Sequence, residues 1–210
     1  MKILVINCGS SSLKYQLINM ENEEVIAKGT YERIGEESFL THKIGGEKYV
    51  LNNPVKNHKE ALNFAIEQLL NKDYPAIASL DEISAIGHRT VHGGEVFKES
   101  VVINDEVIKT IEDCSNLAPV HNPCSLIGIR ACEELMPGKP MVAVFDTAFH
   151  QTLQPKCYIY PIPYKFYTEN KVRKYGAHGT SHFYVSQRVI DKLGQPEHSK
   201  IIVAHLGAGG

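Results

Sequence analysis

The stretch that most constrains this chain is its first nineteen residues, MKILVINCGSSSLKYQLIN. Ile3, Leu4, Val5 and Ile6 form a short apolar run rich in β-branched residues, the pattern of a strand buried on both faces. The run stops at Asn7-Cys8-Gly9-Ser10-Ser11-Ser12, and a second strand-like segment resumes from Leu13 to Ile18. Gly9 can take a positive φ at little cost, so the connection can be short. A strand–turn–strand cannot be a Walker loop, which needs a helix after its glycines. The turn still offers an amide, three hydroxyls, backbone N–H groups and Lys14 just beyond, a set able to cradle a phosphate. Taken alone, it is better read as an ordinary Ser/Gly hairpin turn with a solvated lysine.

The chain has 210 residues, enough for one large domain or two small ones. Charged residues make up 22% and the net charge is -2, so nothing favours a polyanionic partner, and no basic tract of the nucleic-acid-binding kind is present. The N-terminal apolar run is too short for a signal peptide or membrane span, and no later segment qualifies. Cys8, Cys114, Cys124, Cys132 and Cys157 are odd in number and lack CxxC spacing, which predicts free thiols in a reducing cytoplasm.

Further strands are expected over Glu24–Ile34, Phe39–Ile44 and Lys48–Leu51, the last two around a Gly45-Gly46 turn, so the chain opens as an antiparallel meander. The period then changes. Ala61/Leu62, Ala65/Ile66 and Leu69/Leu70 share a helical face within Val55–Asn71. Ile83–Ile86 reads as a buried strand leading into GHRTVHGG. Asn104 caps a helix with Asp105 and Glu106 in its first turn, and its stripe is Val107/Ile108, Ile111, Cys114 and Leu117. Asn122-Pro123 reads as an N-cap with proline at N1, opening a helix to about Met136. Met141–Phe145 is a strand ending in Asp146, Tyr158–Tyr167 a Pro-rich loop, and Thr180 the cap of a helix to Leu193 stopped by Gly194. A last strand is expected at Ile201–Ala204, before His205-Leu206-Gly207-Ala208-Gly209-Gly210. The order predicts an α/β fold with a mixed sheet, the antiparallel part first and parallel strands added through helices. A core-grade strand followed at once by GAGG predicts a piece of something longer.

Four expected strands end in polar residues: Asn7, Arg89, Asp146 and His205. Ligands in open α/β sheets collect at the carboxyl ends of strands. Arg89, in a glycine-rich loop, suits a bidentate grip on carboxylate or phosphate, and equally a structural ion pair. Asp146 can hold Mg²⁺, orient a nucleophile, or cap the next turn. His178 sits at a helix start between Ala177 and Gly179, placed to donate to an anion or to pack as a cap. His121 and His182 read as structural, and the ten histidines show no metal-ligand spacing. A hydroxyl turn, a guanidinium, a carboxylate, an imidazole and glycine loops together fit phosphoryl transfer, which needs positioning and charge neutralisation more than covalent chemistry.

INCGSSSLKY, GHRTVHGG, APVHNP, VFDTAFH, RKYGAHGTSH and AHLGAG, in that order from residue 6 to residue 209, resemble the acetate kinase family. The resemblance implies a duplicated ribonuclease-H-like fold of the actin and sugar-kinase type. Residues 1–148 would form its N-terminal domain and 149–210 the start of a second, nucleotide-binding domain. It implies reversible phosphoryl transfer from ATP to acetate, giving acetyl phosphate and ADP, with Mg²⁺ or Mn²⁺. By matching motif positions, Asn7 would help hold the metal, and Ser10, Ser12 and Lys14 would lie along the phosphate path. Arg89 would bind the carboxylate or the transferring phosphoryl group, with Val91 and Leu117 lining the methyl pocket. Asp146 would be the catalytic carboxylate, His178 would stabilise transition-state charge, and His205, Leu206, Gly207, Ala208 and Gly209 would form a second phosphate loop. His121 would lie near the site. The resemblance also implies a cytoplasmic homodimer at full length, with no nucleic-acid or membrane partner.

Two departures bear on function. The family commonly has phenylalanine where this chain has Ala177, so a larger acyl pocket and propionate as substrate stay open. The family also runs to nearly twice this length, with a second arginine and a metal-site glutamate beyond these residues. The 210-residue chain alone is therefore expected to be weak or inactive, or to act as a non-catalytic phosphate-binding or self-associating piece.

Overall fold

The computed structural model describes residues 1–195 and 197–207. The chain divides into two compact units, Met1–His92 with Val101–Val144, and Gly93–Ser100 with Phe145–Gly210. Among the described residues, no helix is long and apolar enough to cross a membrane.

The first unit is built on a mixed sheet. β1 (Lys2–Cys8), β2 (Leu13–Asn19), β3 (Glu24–Glu32), β4 (Phe39–Ile44) and β5 (Glu47–Asn52) form an antiparallel meander. After α1 (His58–Leu69) the chain returns as β6 (Ile83–Thr90), parallel to β1, the crossover that a helix makes possible. β7 (Val101–Val102), α2 (Asp105–Asp113), α3 (Asn122–Leu135) and β8 (Met141–Phe145) complete it, in the order β5-β4-β3-β2-β1-β6-β8-β7.

Strand alternation decides where the core lies. Leu4, Ile6 and Cys8 of β1, Leu13, Tyr15 and Leu17 of β2, and Tyr31 and Leu40 beyond them are all buried. Their face is covered by α3, over β1 and β6, and by α1, over β2 and β3. Gly128 lets α3 come close: a Cβ there would stand 2.5 Å from the Cys8 sulfur. Gly29 does the same for Tyr15, whose ring crosses it 2.4 Å from a would-be Cβ. The Tyr15 hydroxyl reaches the Nδ1 of buried His42 at 2.5 Å, and burial raises the pKa of the phenol and lowers that of the imidazole. Ile3 and Val5 on the other face of β1 are only half-buried, so the two-sided burial expected of Ile3–Ile6 is corrected to one fully buried face.

The second unit is helical: α4 (Pro155–Tyr158), α5 (Lys165–Asn170) and α6 (Gly179–Lys192). The excursion 93–100 belongs to it, since Glu95 accepts from Arg173 and from the Tyr167 hydroxyl, each at 2.8 Å. The Arg173 guanidinium lies 3.5 Å over the Tyr158 ring, a contact worth more when shielded from water.

Several expectations are corrected. The Pro-rich stretch from Tyr158 is flanked by two short helices, α4 and α5, because proline suits a helix start at Pro155. The cap of α6 is His178, not Thr180. The cap of α3 is His121, and the Asn122 side chain makes tertiary bonds instead of a cap bond. Ile201–Ala204 forms no strand: it has no ladder partner among the described residues, and Ile202 is 99% exposed. The apolar composition is strand-like, but a strand exists only against another. The short β7 had no sequence signal. Gly194, with φ +78°, ends α6 as expected.

Candidate active site

In the first unit, the carboxyl end of β1, the turn into β2 and the end of β6 enclose a cavity of about 250 Å³. It is lined by Asn7, Cys8, Gly9, Ser10, Ser12, Lys14, Arg89, Val91, Val120, His121 and Ser125. Sheet register explains the gathering. Asn7 pairs directly with Lys14 across the hairpin, and Ile6 pairs with His88 in the parallel ladder, which puts Asn7 and Arg89 at the same level. Arg89 Nη1 lies 3.4 Å from Asn7 Oδ1. The turn is closed by Gly9 N–H donating to the Ser12 carbonyl at 2.8 Å. It is held from outside by His58, whose Nε2–H donates to the Gly9 carbonyl at 2.6 Å. Burial pushes the Cys8 thiol up to about 12, so it stays a neutral thiol and not a nucleophile. The cavity thus has a cationic, hydroxyl-rich end and an apolar flank at Val91 and Val120, the composition that suits a small carboxylate or one phosphoryl group.

The second unit carries a separate cluster. Asp146, just past β8, is buried, and its backbone carbonyl accepts from Gly179 N–H at 2.8 Å. His178 takes φ +51° as the residue before α6, and its ring stacks on His205 with centroids 4.3 Å apart and planes at 8°. His205 Nδ1 lies 3.0 Å from the Ser181 hydroxyl. Burial, then the nearby His150, His205 and His178, lower the pKa of His182.

Of the residues singled out from sequence, Asn7, Ser10, Ser12, Lys14, Arg89, Val91 and His121 line the cavity. Leu117 does not; it is 37% exposed beyond α2, and Val120 takes up the apolar flank. Asp146, His178 and His205 fall in the second unit. Leu206 is 87% exposed, a would-be Cβ on Gly207 meets nothing, and Ala208 and Gly209 lie outside the described residues. Sequence reasoning missed Val120, Ser125 and His58. Ser125 follows the noted APVHNP stretch by two residues and could have been found there, whereas His58 comes from 49 residues away and had no local signal.

The described residues alone do not enclose a metal ion. Asn7 supplies one neutral oxygen beside a guanidinium, and no three His, Cys, Asp or Glu side chains converge among the described residues.

Comparison with known proteins gives one answer. The sequence profile of the Acetokinase family matches residues 2–210. Acetate kinases of Fusobacterium nucleatum and Clostridium botulinum are 61% and 57% identical over the whole of this chain. The chain spans about half the length of these curated relatives, 53% in both cases. Among solved structures, Porphyromonas gingivalis acetate kinase superposes with a TM-score of 0.90 at 48% identity, covering 93% of this chain and 49% of its own. A propionate kinase from Francisella tularensis superposes with a TM-score of 0.86 at 42% identity, covering 92% of this chain and 49% of its own. The eight-stranded mixed sheet with its helices is accordingly the fold of acetate kinase structures, and the chain belongs to the Acetokinase family.

Proposed function

We propose that this chain carries the chemistry of an acetate kinase: reversible, direct in-line transfer of a phosphoryl group from ATP to acetate, giving acetyl phosphate and ADP. The observation that carries the reading is the cavity, where Lys14 and Arg89 share about 250 Å³ with the Ser10 and Ser12 turn and the apolar Val91 and Val120. That volume suits acetate or a terminal phosphoryl group and not a whole nucleotide. In the transfer, a carboxylate oxygen of acetate bonds to the γ-phosphorus. The bond from that phosphorus to the β–γ bridging oxygen breaks, and ADP leaves with the electron pair. No proton has to move, so the protein's part is to orient the partners and offset charge.

In this reading Arg89 grips the carboxylate or the transferring phosphoryl group, and Lys14, Ser10 and Ser12 lie along the phosphate path. Asp146 is the catalytic carboxylate and His178 offsets transition-state charge. His205, Leu206 and Gly207 belong to a second phosphate loop, to which Ala208 and Gly209 are assigned by resemblance alone. Val91 lines the methyl end; Leu117 is assigned there by resemblance alone. The reading makes residues 1–148 an N-terminal domain and 149–210 the beginning of a nucleotide-binding one. Magnesium or manganese would enter with the nucleotide and offset phosphate charge, and Asn7 Oδ1 is the cavity oxygen that would help hold it. A cytoplasmic protein that pairs as a homodimer at family length completes the reading. Five free cysteines support a reducing compartment.

Propionate is the second reading, favoured by Ala177 beside His178, where the family commonly carries phenylalanine, and by the relation to the propionate kinase. One methylene is worth ~1–3 kcal/mol in such a pocket. The test traps acyl phosphate as the hydroxamate, with acetate and with propionate. It compares this chain with a version extended to its relatives' length, each also as Arg89→Ala. The expected result is turnover in the extended form, little in the 210-residue chain, and a loss of roughly 100-fold or more on substitution. Undiminished turnover by the Arg89→Ala enzyme would remove Arg89 from the mechanism.

A further inference from the structure

Four histidines of the second unit gather at the start of α6, and three have a role in the reading above or sit beside one that does. The fourth, His150, faces the backbone instead. His178 adopts φ +51° and ψ 27°, the left-handed region that a residue with a Cβ occupies only when its surroundings impose it. What imposes it is the segment that follows β8. His150 Nε2 lies 3.0 Å from the Ala177 carbonyl oxygen. A carbonyl only accepts, so Nε2 carries the proton and donates. The same ring passes over Gly176, so close that a Cβ there would stand 2.3 Å from its Cδ2, and Gly176 itself has φ +79°. On the other side of His178, Gly179 donates to the Asp146 carbonyl at 2.8 Å, and a Cβ on Gly179 would stand 2.3 Å from that oxygen. Positions 176, 177 and 179 are thus each held by the 146–150 segment, and His178 bridges them. The ring of His150 is in turn seated edge-on against His182, with centroids at 5.5 Å, and against Phe149 at 5.4 Å.

We propose that His150 is a positioning residue: the hydrogen bond from its Nε2–H to the Ala177 carbonyl holds His178 in the left-handed conformation that stacks its imidazole on His205. The donor is the essential element and the ring a secondary one. The catalytic consequence, a fixed direction for the His178 imidazole during phosphoryl transfer, rests on the proposed function. The conformational claim rests on the geometry alone, so the two can fail separately.

The experiment uses the 210-residue chain, isotope-labelled for NMR, as wild type, His150→Phe and His150→Gln. Phenylalanine keeps a flat ring over Gly176 without a donor; glutamine keeps a donor of similar reach without the ring. Two signals are read: the strong intraresidue amide-to-Hα contact of a positive φ at His178, and the exchange rate of the Gly179 amide. Wild type and His150→Gln are expected to show the positive-φ signal and a protected Gly179 amide. In His150→Phe the signal is lost and the amide exchanges about fivefold to tenfold faster, the loss expected for one hydrogen bond. Unchanged signals in His150→Phe overturn the proposal. Loss of both signals in His150→Gln overturns it too, by showing that ring packing and not donation holds the loop, and this arm decides the matter even if the phenylalanine variant does not fold. Turnover of the extended enzyme is measured in parallel: His150→Phe should lower kcat with little change in KM for acetate, and His150→Gln should restore it. Wild-type extended enzyme without turnover sinks the kinase reading while the NMR arm still decides the conformational claim.

Discussion

His88 shows how one side chain in a packed sheet sets a pH limit. It is buried on β6, its Nε2 has no hydrogen-bond partner, and burial pulls its imidazole from 6.5 down to about 4. Between those values the unfolded chain binds a proton that the native chain refuses, so stability rises with pH from about 4 to about 6.5 and is level above. The whole step is about 3 kcal/mol. Urea midpoints of the wild-type chain should therefore climb across that window, and His88→Leu should flatten most of the climb. Some slope should remain, because His42 is also buried with its pKa lowered and acts in the same direction. An unchanged slope in the leucine variant would point to other groups. Residues of this kind are poorly legible in sequence. Sequence places His88 beside Arg89 in GHRTVHGG but not in the core, because alternation along β6 turns one to the core and the other to the cavity, and the assignment depends on which face α3 covers. Arg89 and Asn7 were legible for the opposite reason: they lie at the carboxyl ends of strands, where such sheets collect ligands, and Lys14 was legible because it directly follows the Ser/Gly turn that opens β2.

Two asparagines separate what is local from what is tertiary among the elements. Asn104 was read as a cap from its neighbours, and its side chain does accept from Val107 N–H at 2.9 Å at the start of α2. Asn122 also reads as a cap, from the proline that follows it, yet it is fully buried and ties three backbone groups together. It donates to the carbonyls of His92 at 2.9 Å and Ile111 at 3.0 Å, and accepts from His92 N–H at 3.1 Å. Asn104→Ala removes one exposed cap and should cost about 1 kcal/mol. Asn122→Ala strands three buried groups away from water and should cost about 3 kcal/mol or more. Denaturant unfolding of the two variants measures both, and equal costs would mean that the Asn122 bonds are replaced by water. The meander strands and β8 were read within two residues, whereas α1 starts at His58, three residues later than expected, and α2 ends at Asp113, short of the Cys114 and Leu117 of its expected stripe. The 201–204 segment was misread because its four apolar residues satisfy strand chemistry, yet none of the described residues pairs with them.

At the scale of the molecule, the cavity lined by Lys14 and Arg89 lies wholly within the first unit, whereas the proposed reaction also calls on residues of the second. Binding and turnover should therefore separate in this chain. We expect the 210-residue chain to bind inorganic phosphate or acetyl phosphate in the cavity even where its turnover is low. The cations are Lys14, which is exposed, and Arg89, which is partly buried beside Asn7. Exposed charges are screened at a Debye length of about 8 Å at physiological salt, so the Lys14 contribution should fade as salt rises while that of Arg89 persists. Calorimetric titration with inorganic phosphate at low and high salt reads this directly. Lys14→Ala should weaken binding several-fold at low salt and little at high salt, an effect of about 1 kcal/mol for an exposed pair. Arg89→Ala should weaken it about tenfold or more at both, because a charge-assisted bond in a partly shielded site is worth roughly 1.5–3 kcal/mol. Binding that is indifferent to Arg89 would leave the cavity as a polar turn closed by its own backbone. The phosphate path would then have to be sought in the second unit, around His178 and His205, where stacked imidazoles are the alternative source of donors.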